Sequence, residues 1–154
     1  MQVRSYTNEN LLEVEKPLTE KLEIEFEAEV EKPRQLYFNP FIADRWDENP
    51  FKSNERSFPV DFGAPLQKIT SLVIELPSNY TVDDLPNSVA LGLPNEGGKF
   101  LLATGKTDKN VTFRSTLALN RGIYNSQEYH YLKELFSRII QLEQADLVFV
   151  RSEK

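Results

Sequence analysis

The stretch KFLLATGKTDKNVTFRSTLAL, residues 99–119, decides the fold. Two segments rich in apolar and β-branched residues flank the polar tetrapeptide KTDK, an arrangement that is typical of a β-hairpin. Further short strand-like segments lie on either side of it, and turn residues separate them at short intervals. We therefore predict a mainly β (α+β) domain built from antiparallel, sandwich-like sheets rather than from βαβ units.

Upstream of this hairpin, the segment EKLEIEFEAEV at residues 20–30 alternates apolar residues with glutamates. A period of two over eleven residues predicts a strand with one buried face. The turn NEGG at residues 95–98 predicts a second hairpin. The other predicted strands are QLYF at 35–38, QKITSLVIELP at 67–77, TVDDLP at 81–86, SVALGLP at 88–94 and DLVFV at 146–150.

One helix is predicted over NSQEYHYLKELFSRIIQLEQ, residues 125–144. Asn125 and Ser126 are candidate caps, and Glu128 stands three residues after Asn125, in the capping-box position. A rod of about nineteen residues would be roughly 28 Å long, and its broad apolar stripe predicts packing across a sheet face. The stripe consists of Tyr129, Leu132, Leu135, Phe136, Ile139, Ile140 and Leu142.

The length of 154 residues predicts a single domain, in which residues 1–34 form an N-terminal strand region and residues 35–154 form the β domain with its C-terminal helix. The first residues lack the apolar segment of a signal peptide, so we expect a piece of a longer chain with Met1 added. The formal net charge is −6, and no cluster of basic residues interrupts the acidic balance. This excludes nucleic acid and disfavours anionic membrane surfaces. No apolar run approaches the ~20 residues that a membrane span needs.

The inventory of nucleophiles and bases predicts that the chain is not an enzyme and holds no metal or cofactor. It has no cysteine, which excludes disulfides, thiolate nucleophiles and cysteine-built zinc sites. His130 is the sole histidine, so any serine–histidine device would have to use it. It shares a helix side with Glu134, Ser137 and Gln141, which predicts an exposed surface residue. A hydrolase that uses two facing carboxylates, one with a pKa raised by burial, stays open as a third alternative.

The carboxylate clusters do not have the spacing of a metal site. Glutamates at 23, 25, 27 and 29 lie on one strand face about 6.6–6.8 Å apart, whereas Ca²⁺–oxygen distances are about 2.3–2.6 Å. We interpret them as a solvated face that deters edge pairing. Asp44, Asp47 and Glu48 are denser, but they lack the spacing and the glycine of an EF-hand.

The segment FNPFIADRWDENPF, residues 38–51, contains Asn-Pro-Phe twice, ten residues apart, with the sole tryptophan between the two copies. Each Asn-Pro favours a turn or an extended conformation, and each following phenylalanine offers an apolar anchor. The segment is therefore predicted to be a long connection that is stapled at two points. Phe41, Trp46 and Phe51 are also candidate interaction residues, because aromatic side chains can form a platform for a carbohydrate or a peptide.

Four stretches together resemble a known family: YFNPF, ENPFKSNERSFPVDFGAP, IELPSNYTVDDLPNSVALGLPNEGGKF and SQEYHYLKELFSRIIQLEQADLVFV. They are similar to the C-terminal β-rich domain of bacterial transglutaminase-like proteins, most clearly over residues 36–150. In that group the Cys-His-Asp machinery belongs to a preceding domain, so the resemblance transfers no catalytic residue to this chain. It implies a periplasmic or cell-surface location, because the family proteins carry export signals.

From these features we expect a non-catalytic accessory domain that supports or positions an upstream transglutaminase-like domain of the same polypeptide, or that binds a partner such as a protein or a cell-envelope glycan. The alternative is a carbohydrate- or peptide-binding module that uses the aromatic residues around Trp46. Neither hypothesis involves nucleic acid or membrane insertion.

Overall fold

The computed structural model describes residues 2–25, 34–42, 45–107 and 109–152. Within these ranges it contains eleven strands and one α-helix, α1 (Tyr129–Glu143). Short 3-10 turns at Pro94–Glu96 and Ser126–Glu128 precede β8 and α1. The strands are β1 (Gln2–Glu9), β2 (Thr19–Glu25), β3 (Gln35–Phe38), β4 (Val60–Asp61), β5 (Leu66–Glu75), β6 (Tyr80–Asp84), β7 (Val89–Gly92), β8 (Gly98–Lys106), β9 (Asn110–Leu119), β10 (Ile123–Tyr124) and β11 (Leu147–Arg151).

The largest sheet has four antiparallel strands in the order β5-β9-β8-β7. Its centre is the β8–β9 hairpin that the sequence predicts, and the predicted turn before Gly98 joins β7 to β8. Alternate residues of the two central strands face inward and are buried, because successive side chains of a strand point to opposite faces. The apolar residues among them are Phe100, Leu102, Val111, Phe113, Leu117 and Leu119, and Ser115 is a buried polar residue on the same face.

A second sheet has three antiparallel strands in the order β3-β11-β6. The predicted last strand is its central strand, and Leu147 and Phe149 from it are buried. These two residues join the inward residues of the four-stranded sheet in one hydrophobic core. The mainly β, antiparallel fold predicted from the sequence is thus confirmed.

Helix α1 contributes further residues to this core, as its apolar stripe predicts. Five of the seven stripe residues are buried, and Ile140 and Leu142 are half-buried. The predicted capping box is present: Asn125 Oδ1 accepts from the Glu128 N–H, and Glu128 Oε2 accepts from the Asn125 N–H. The box closes the 3-10 turn at Ser126–Glu128, so α1 itself begins at Tyr129.

The N-terminal hairpin β1–β2 differs from its prediction. Its second strand is confirmed over Thr19–Glu25, but the prediction of a buried face is wrong for the described part, because Leu22 is 58% exposed. The two strands pair with each other, and within the described ranges no third strand extends their sheet. An apolar strand face is buried only when another layer covers it. The predicted inward residues Phe26, Ala28 and Val30 lie outside the described residues.

The short antiparallel ladder between β4 and β10 has no counterpart in the sequence prediction. Two residues per strand are too few to establish a period of two. The chain reaches this pairing through a close approach at Gly122, where an added Cβ would lie 3.1 Å from the backbone of Ala64. A larger residue at position 122 would push these two segments apart.

Candidate interaction site

The two Asn-Pro-Phe motifs share two hydrogen bonds of the same kind. Asn39 Oδ1 accepts from the Phe41 N–H at 2.9 Å, while Asn39 Nδ2 donates to the backbone carbonyl of Glu143 at 2.9 Å. Asn49 Oδ1 accepts from the Phe51 N–H at 2.8 Å, and its Nδ2 donates to the carbonyl of Lys133 at 2.8 Å. Each asparagine therefore closes its own turn and also ties that turn to α1.

The spacing of the motifs matches the spacing of their contacts on the helix. The asparagines are ten residues apart, and so are Lys133 and Glu143, in the opposite chain direction. Ten residues of helix extend about 15 Å, so the segment runs antiparallel along α1 and is fixed at both ends. The predicted stapling at two points is confirmed, and the helix is the element to which the segment is stapled. We call this arrangement the asparagine clamp.

Phe41 and Phe51 lie in the hydrophobic core, 5% and 6% exposed. The ring of Phe41 meets Phe113 edge-to-face at 5.3 Å between centroids, and Phe51 meets Phe136 in the same way at 5.1 Å. A ligand platform needs solvent-exposed ring faces. These two candidate residues act instead as the apolar anchors of the clamp.

Trp46 is half-buried and packs against the hydrophobic core. Its ring packs edge-to-face on Phe136 at 5.3 Å, and its backbone N–H donates to the buried carboxylate of Glu143 at 2.8 Å. Lys68 Nζ lies 5.8 Å from the ring centroid. The clamp thus places Trp46 and Phe51 against Phe136 of the helix and Phe41 against Phe113 of β9. Of the three rings, Trp46 alone is more than slightly exposed to solvent.

The acidic residues of this segment are engaged in surface ion pairs. Asp47 pairs with Arg45 at 3.2 Å and Glu48 with Lys52 at 2.5 Å, whereas Asp44 lies outside the described residues. Over the ranges that the structure describes, no group of three histidine, cysteine or acidic residues could hold a metal ion.

The glutamate stripe of β2 is also partly paired. Glu25 forms an ion pair with Arg4, and Glu23 accepts from the Ser5 hydroxyl at 3.3 Å. The stripe residues at 27 and 29 lie outside the described ranges. The described half of the stripe therefore makes cross-strand contacts with β1, as expected for a solvated sheet face.

The titratable residues His130 and Glu128 lie in different surroundings. His130 is exposed, as predicted, and its ring centroid lies 3.7 Å from that of Tyr131. The hydrogen bond from Arg121 lowers the pKa of Glu128 and outweighs the opposing effect of burial. A general acid needs a raised pKa, so Glu128 has the shift of a structural ion-pair partner.

An exposed apolar surface on the N-terminal hairpin was missed by the sequence prediction. Leu12 and Val14, in the loop between β1 and β2, are 91% and 98% exposed. On the strands, Tyr6 lies opposite Leu22 and Val3 opposite Ile24, which places these apolar residues on one face. We call this face together with the loop the hairpin surface: Val3, Tyr6, Leu11, Leu12, Val14, Leu18, Leu22 and Ile24. The signal in the sequence is the run NLLEVEKPL, which places Leu11, Leu12, Val14 and Leu18 among charged and turn residues between the two strands.

The other face of the hairpin is charged. It carries ion pairs between Arg4 and Glu25 and between Lys21 and Glu9. The hairpin is thus amphipathic, with ion pairs on one face and mostly apolar residues on the other, where Glu20 accepts from the Tyr6 hydroxyl at 2.7 Å. The helix in the described part of the chain is too short and too polar to cross a membrane.

Comparisons with known proteins identify similarity at the level of the domain. Residues 34–149 match DUF3858, described as a domain of unknown function with a solved structure. Among solved structures, a candidate protease from Parabacteroides distasonis aligns with 64% of this chain at 13% identity and a TM-score of 0.53, a similarity of fold. The chain spans about a fifth of that protein, 19% of its length. No curated protein matches.

Proposed function

The chain belongs to the DUF3858 family of domains, and from this premise we propose that it is a non-catalytic interaction domain of a larger, exported transglutaminase-like protein. Its role in that protein is to support or position the catalytic domain. The sequence resemblance supports the link to transglutaminase-like proteins, and with it a location in the periplasm or at the cell surface. The aligned solved structure supports a multidomain context, since this fold accounts for about a fifth of that longer chain.

The observation that carries the proposal is the hairpin surface. Most of this surface is solvent-exposed in the chain by itself, and it lies before the start of the family match at residue 34. Contiguous exposed apolar surface on a soluble protein usually marks a site of interaction. Because the opposite face of the hairpin is charged, the apolar face is the one that we expect to pack against the upstream domain.

The alternative, a carbohydrate- or peptide-binding platform around Trp46, has less support. Two of its three aromatic residues are core anchors, and the third presents only part of its ring. Adding peptidoglycan fragments and following Trp46 fluorescence tests it directly. A saturable change in that fluorescence would support this alternative over the interaction role of the hairpin surface.

The interaction role can be tested with substitutions that leave the fold intact. Leu12→Ser combined with Val14→Ser removes the two most exposed apolar side chains, and Glu15→Ser in the same loop is the matched control. The isolated chain should keep its stability in both cases, because surface substitutions usually change it by less than about 0.5 kcal/mol. Association with the upstream domain, produced as a separate chain, should weaken by about 3 kcal/mol in the double variant, since burying each aliphatic side chain is worth about 1.5–3 kcal/mol.

Two results would contradict the proposal. The first is equal association of the double variant and the Glu15→Ser control with the upstream domain, measured by calorimetry. The second is turnover of peptide, ester or glycan substrates by the isolated chain. Reading the complete open reading frame is a further check, because the proposal requires an upstream domain that contains cysteine and an export signal.

A further inference from the structure

A groove with a volume of about 580 Å³ lies between strand β7 and helix α1. This volume falls within the range of about 300–1,000 Å³ that is typical of ligand sites. Residues 89–93 form one wall, and one side of α1 forms the other. We call it the β7–α1 groove. It is separate from both the asparagine clamp and the hairpin surface.

Among the described strands, β7 is an edge strand of the four-stranded sheet, and its residues line this groove. The Leu93 N–H donates to the carbonyl of Gly98 at 2.8 Å, which fixes the alternation of hydrogen bonds with β8. In an antiparallel ladder, every second residue directs its N–H and C=O away from the partner strand. On β7 these residues are Ala90 and Gly92.

Ala90 and Gly92 line the groove through their backbone. They pair with Leu101 and Lys99, whose side chains point to the outer face of the sheet, away from the core on which α1 packs. The atoms that Ala90 and Gly92 present to the groove are therefore their N–H and C=O groups. A strand edge of this kind is a template for one further strand.

The wall of the groove that α1 forms presents both apolar and charged side chains to a ligand. Leu135 and Leu142 line the groove together with Val89, and the half-buried Leu142 and Val89 offer contact to an aliphatic side chain. Arg138 and Glu134 are exposed there, and neither forms an ion pair with another residue in the described part of the chain. A guanidinium group favours a carboxylate, with which it forms charge-assisted hydrogen bonds.

We propose that the β7–α1 groove binds an extended peptide segment that adds as a strand to β7. Its backbone pairs with Ala90 and Gly92, one aliphatic side chain enters the site between Val89 and Leu142, and a carboxylate binds Arg138. A peptide is the occupant that fits best for two reasons. An extended chain offers N–H and C=O groups to those of β7, and an acidic side chain of that chain offers a carboxylate to Arg138. This site goes beyond the proposed function, because it does not depend on the hairpin surface or on the upstream domain.

The length of β7 limits what the groove accepts. The strand has four residues, and Pro86 and Pro94 stand on either side of it. Proline donates no hydrogen bond and interrupts strand pairing. The groove is thus suited to a short segment and protected against open-ended association of sheets.

Nuclear magnetic resonance of the ¹⁵N-labelled chain tests the proposal. Four hexapeptides of the form acetyl-TXTXDT-amide are titrated in turn, and each carries the same residue at both X positions: Val, Ile, Leu or Phe. Saturable shifts of the Ala90 and Gly92 amide signals are expected for at least one peptide. Replacing its aspartate with lysine should weaken binding by about tenfold, as expected for the loss of one charge-assisted hydrogen bond. The absence of saturable shifts for all four peptides at millimolar concentration, or shifts confined to other residues, would overturn the proposal.

Two variants separate the edge from the helix wall. Ala90→Pro removes the N–H that points away from β8 and leaves the β7–β8 hydrogen bonds in place. Proline is tolerated at such edge positions. Ala90→Ser is the control, because it keeps this N–H. Arg138→Gln should weaken binding about tenfold, whereas Arg114→Gln, an exposed arginine on the outer sheet face, should not change it. Equal binding by Ala90→Pro and Ala90→Ser overturns the proposal. If Ala90→Pro does not fold, equal binding by Arg138→Gln and Arg114→Gln overturns it.

Discussion

Replacing Asn49 with alanine removes half of the asparagine clamp. The side chain of Asn49 makes three hydrogen bonds: it accepts from the Phe51 N–H and donates to the Lys133 carbonyl and to Ser137 Oγ, all at 2.7–2.8 Å. Asn49→Ala loses all three, whereas Asn49→Asp keeps the bond from Phe51, can accept from the Ser137 hydroxyl and loses the bond to the Lys133 carbonyl. The pair of variants therefore separates the turn from the attachment to α1.

The expected loss follows from the number of bonds and from burial. A net hydrogen bond contributes about 0.5–1.5 kcal/mol, and Asn49 is half-buried, so that water compensates part of each loss. We expect Asn49→Ala to lower the free energy of unfolding by about 2 kcal/mol and Asn49→Asp by about 1 kcal/mol. Two kcal/mol is a large share of the roughly 5–15 kcal/mol that stabilises a domain.

Urea unfolding followed by two signals measures this loss. Trp46 is the sole tryptophan and lies between the two staples, so its fluorescence reports on the clamp, while far-ultraviolet circular dichroism reports on the sheets. In Asn49→Ala the fluorescence midpoint should fall to lower urea. Asp47→Ala, on the same segment and exposed, is the control, and we expect it to change stability by less than about 0.5 kcal/mol. Equal midpoints for Asn49→Ala and this control would refute the clamp as a source of stability.

Two further predictions concern the ion pair at Glu128 and the β8–β9 contact. The pKa of Glu128 is lower in the folded chain than in the unfolded chain. Its ionised carboxylate therefore stabilises the fold at pH values above its unfolded-state pKa of about 4.3, and this stabilisation is lost as the pH falls through its folded-state pKa. Arg121→Gln should therefore reduce the stability gained between acidic and neutral pH, measured by urea unfolding across that range. Gly98→Ala should cost about 1–3 kcal/mol, because its Cβ would lie 2.5 Å from the Ala118 carbonyl oxygen. Gly92→Ala meets nothing within 4 Å and should melt close to the parent chain.

Local pattern predicted the elements well where one residue period extends over a whole segment. The strand Leu66–Glu75 alternates half-buried and exposed residues through most of the predicted segment 67–77, and the stripe from Tyr129 to Ile139 identified the buried face of α1. The alternation of apolar and polar residues does not predict burial where a layer distant in the sequence has to cover the apolar face. Alternation at residues 20–25 shows that one face is apolar, yet it cannot show what covers that face, and Leu22 is exposed.

The candidate site shows the same limit. The doubled Asn-Pro-Phe predicted two anchors, but the partner of each asparagine is a helix carbonyl far away in the sequence, which no local pattern specifies. Aromatic residues near prolines suit a core anchor and a binding platform equally well, and burial decides for the core at Phe41 and Phe51. The β7–α1 groove was not predicted, because it exists only once an edge strand and a helix meet.

The most direct test of the interaction role is amide hydrogen exchange in the hairpin loop, residues 10–18, measured by mass spectrometry. The loop is compared between this chain alone and the same chain joined to its upstream region. If the hairpin surface packs on the upstream domain, exchange around Leu12 and Val14 slows in the longer polypeptide while β8 and β9 stay unchanged. Equal exchange of the loop in both chains would contradict the proposed role of the hairpin surface.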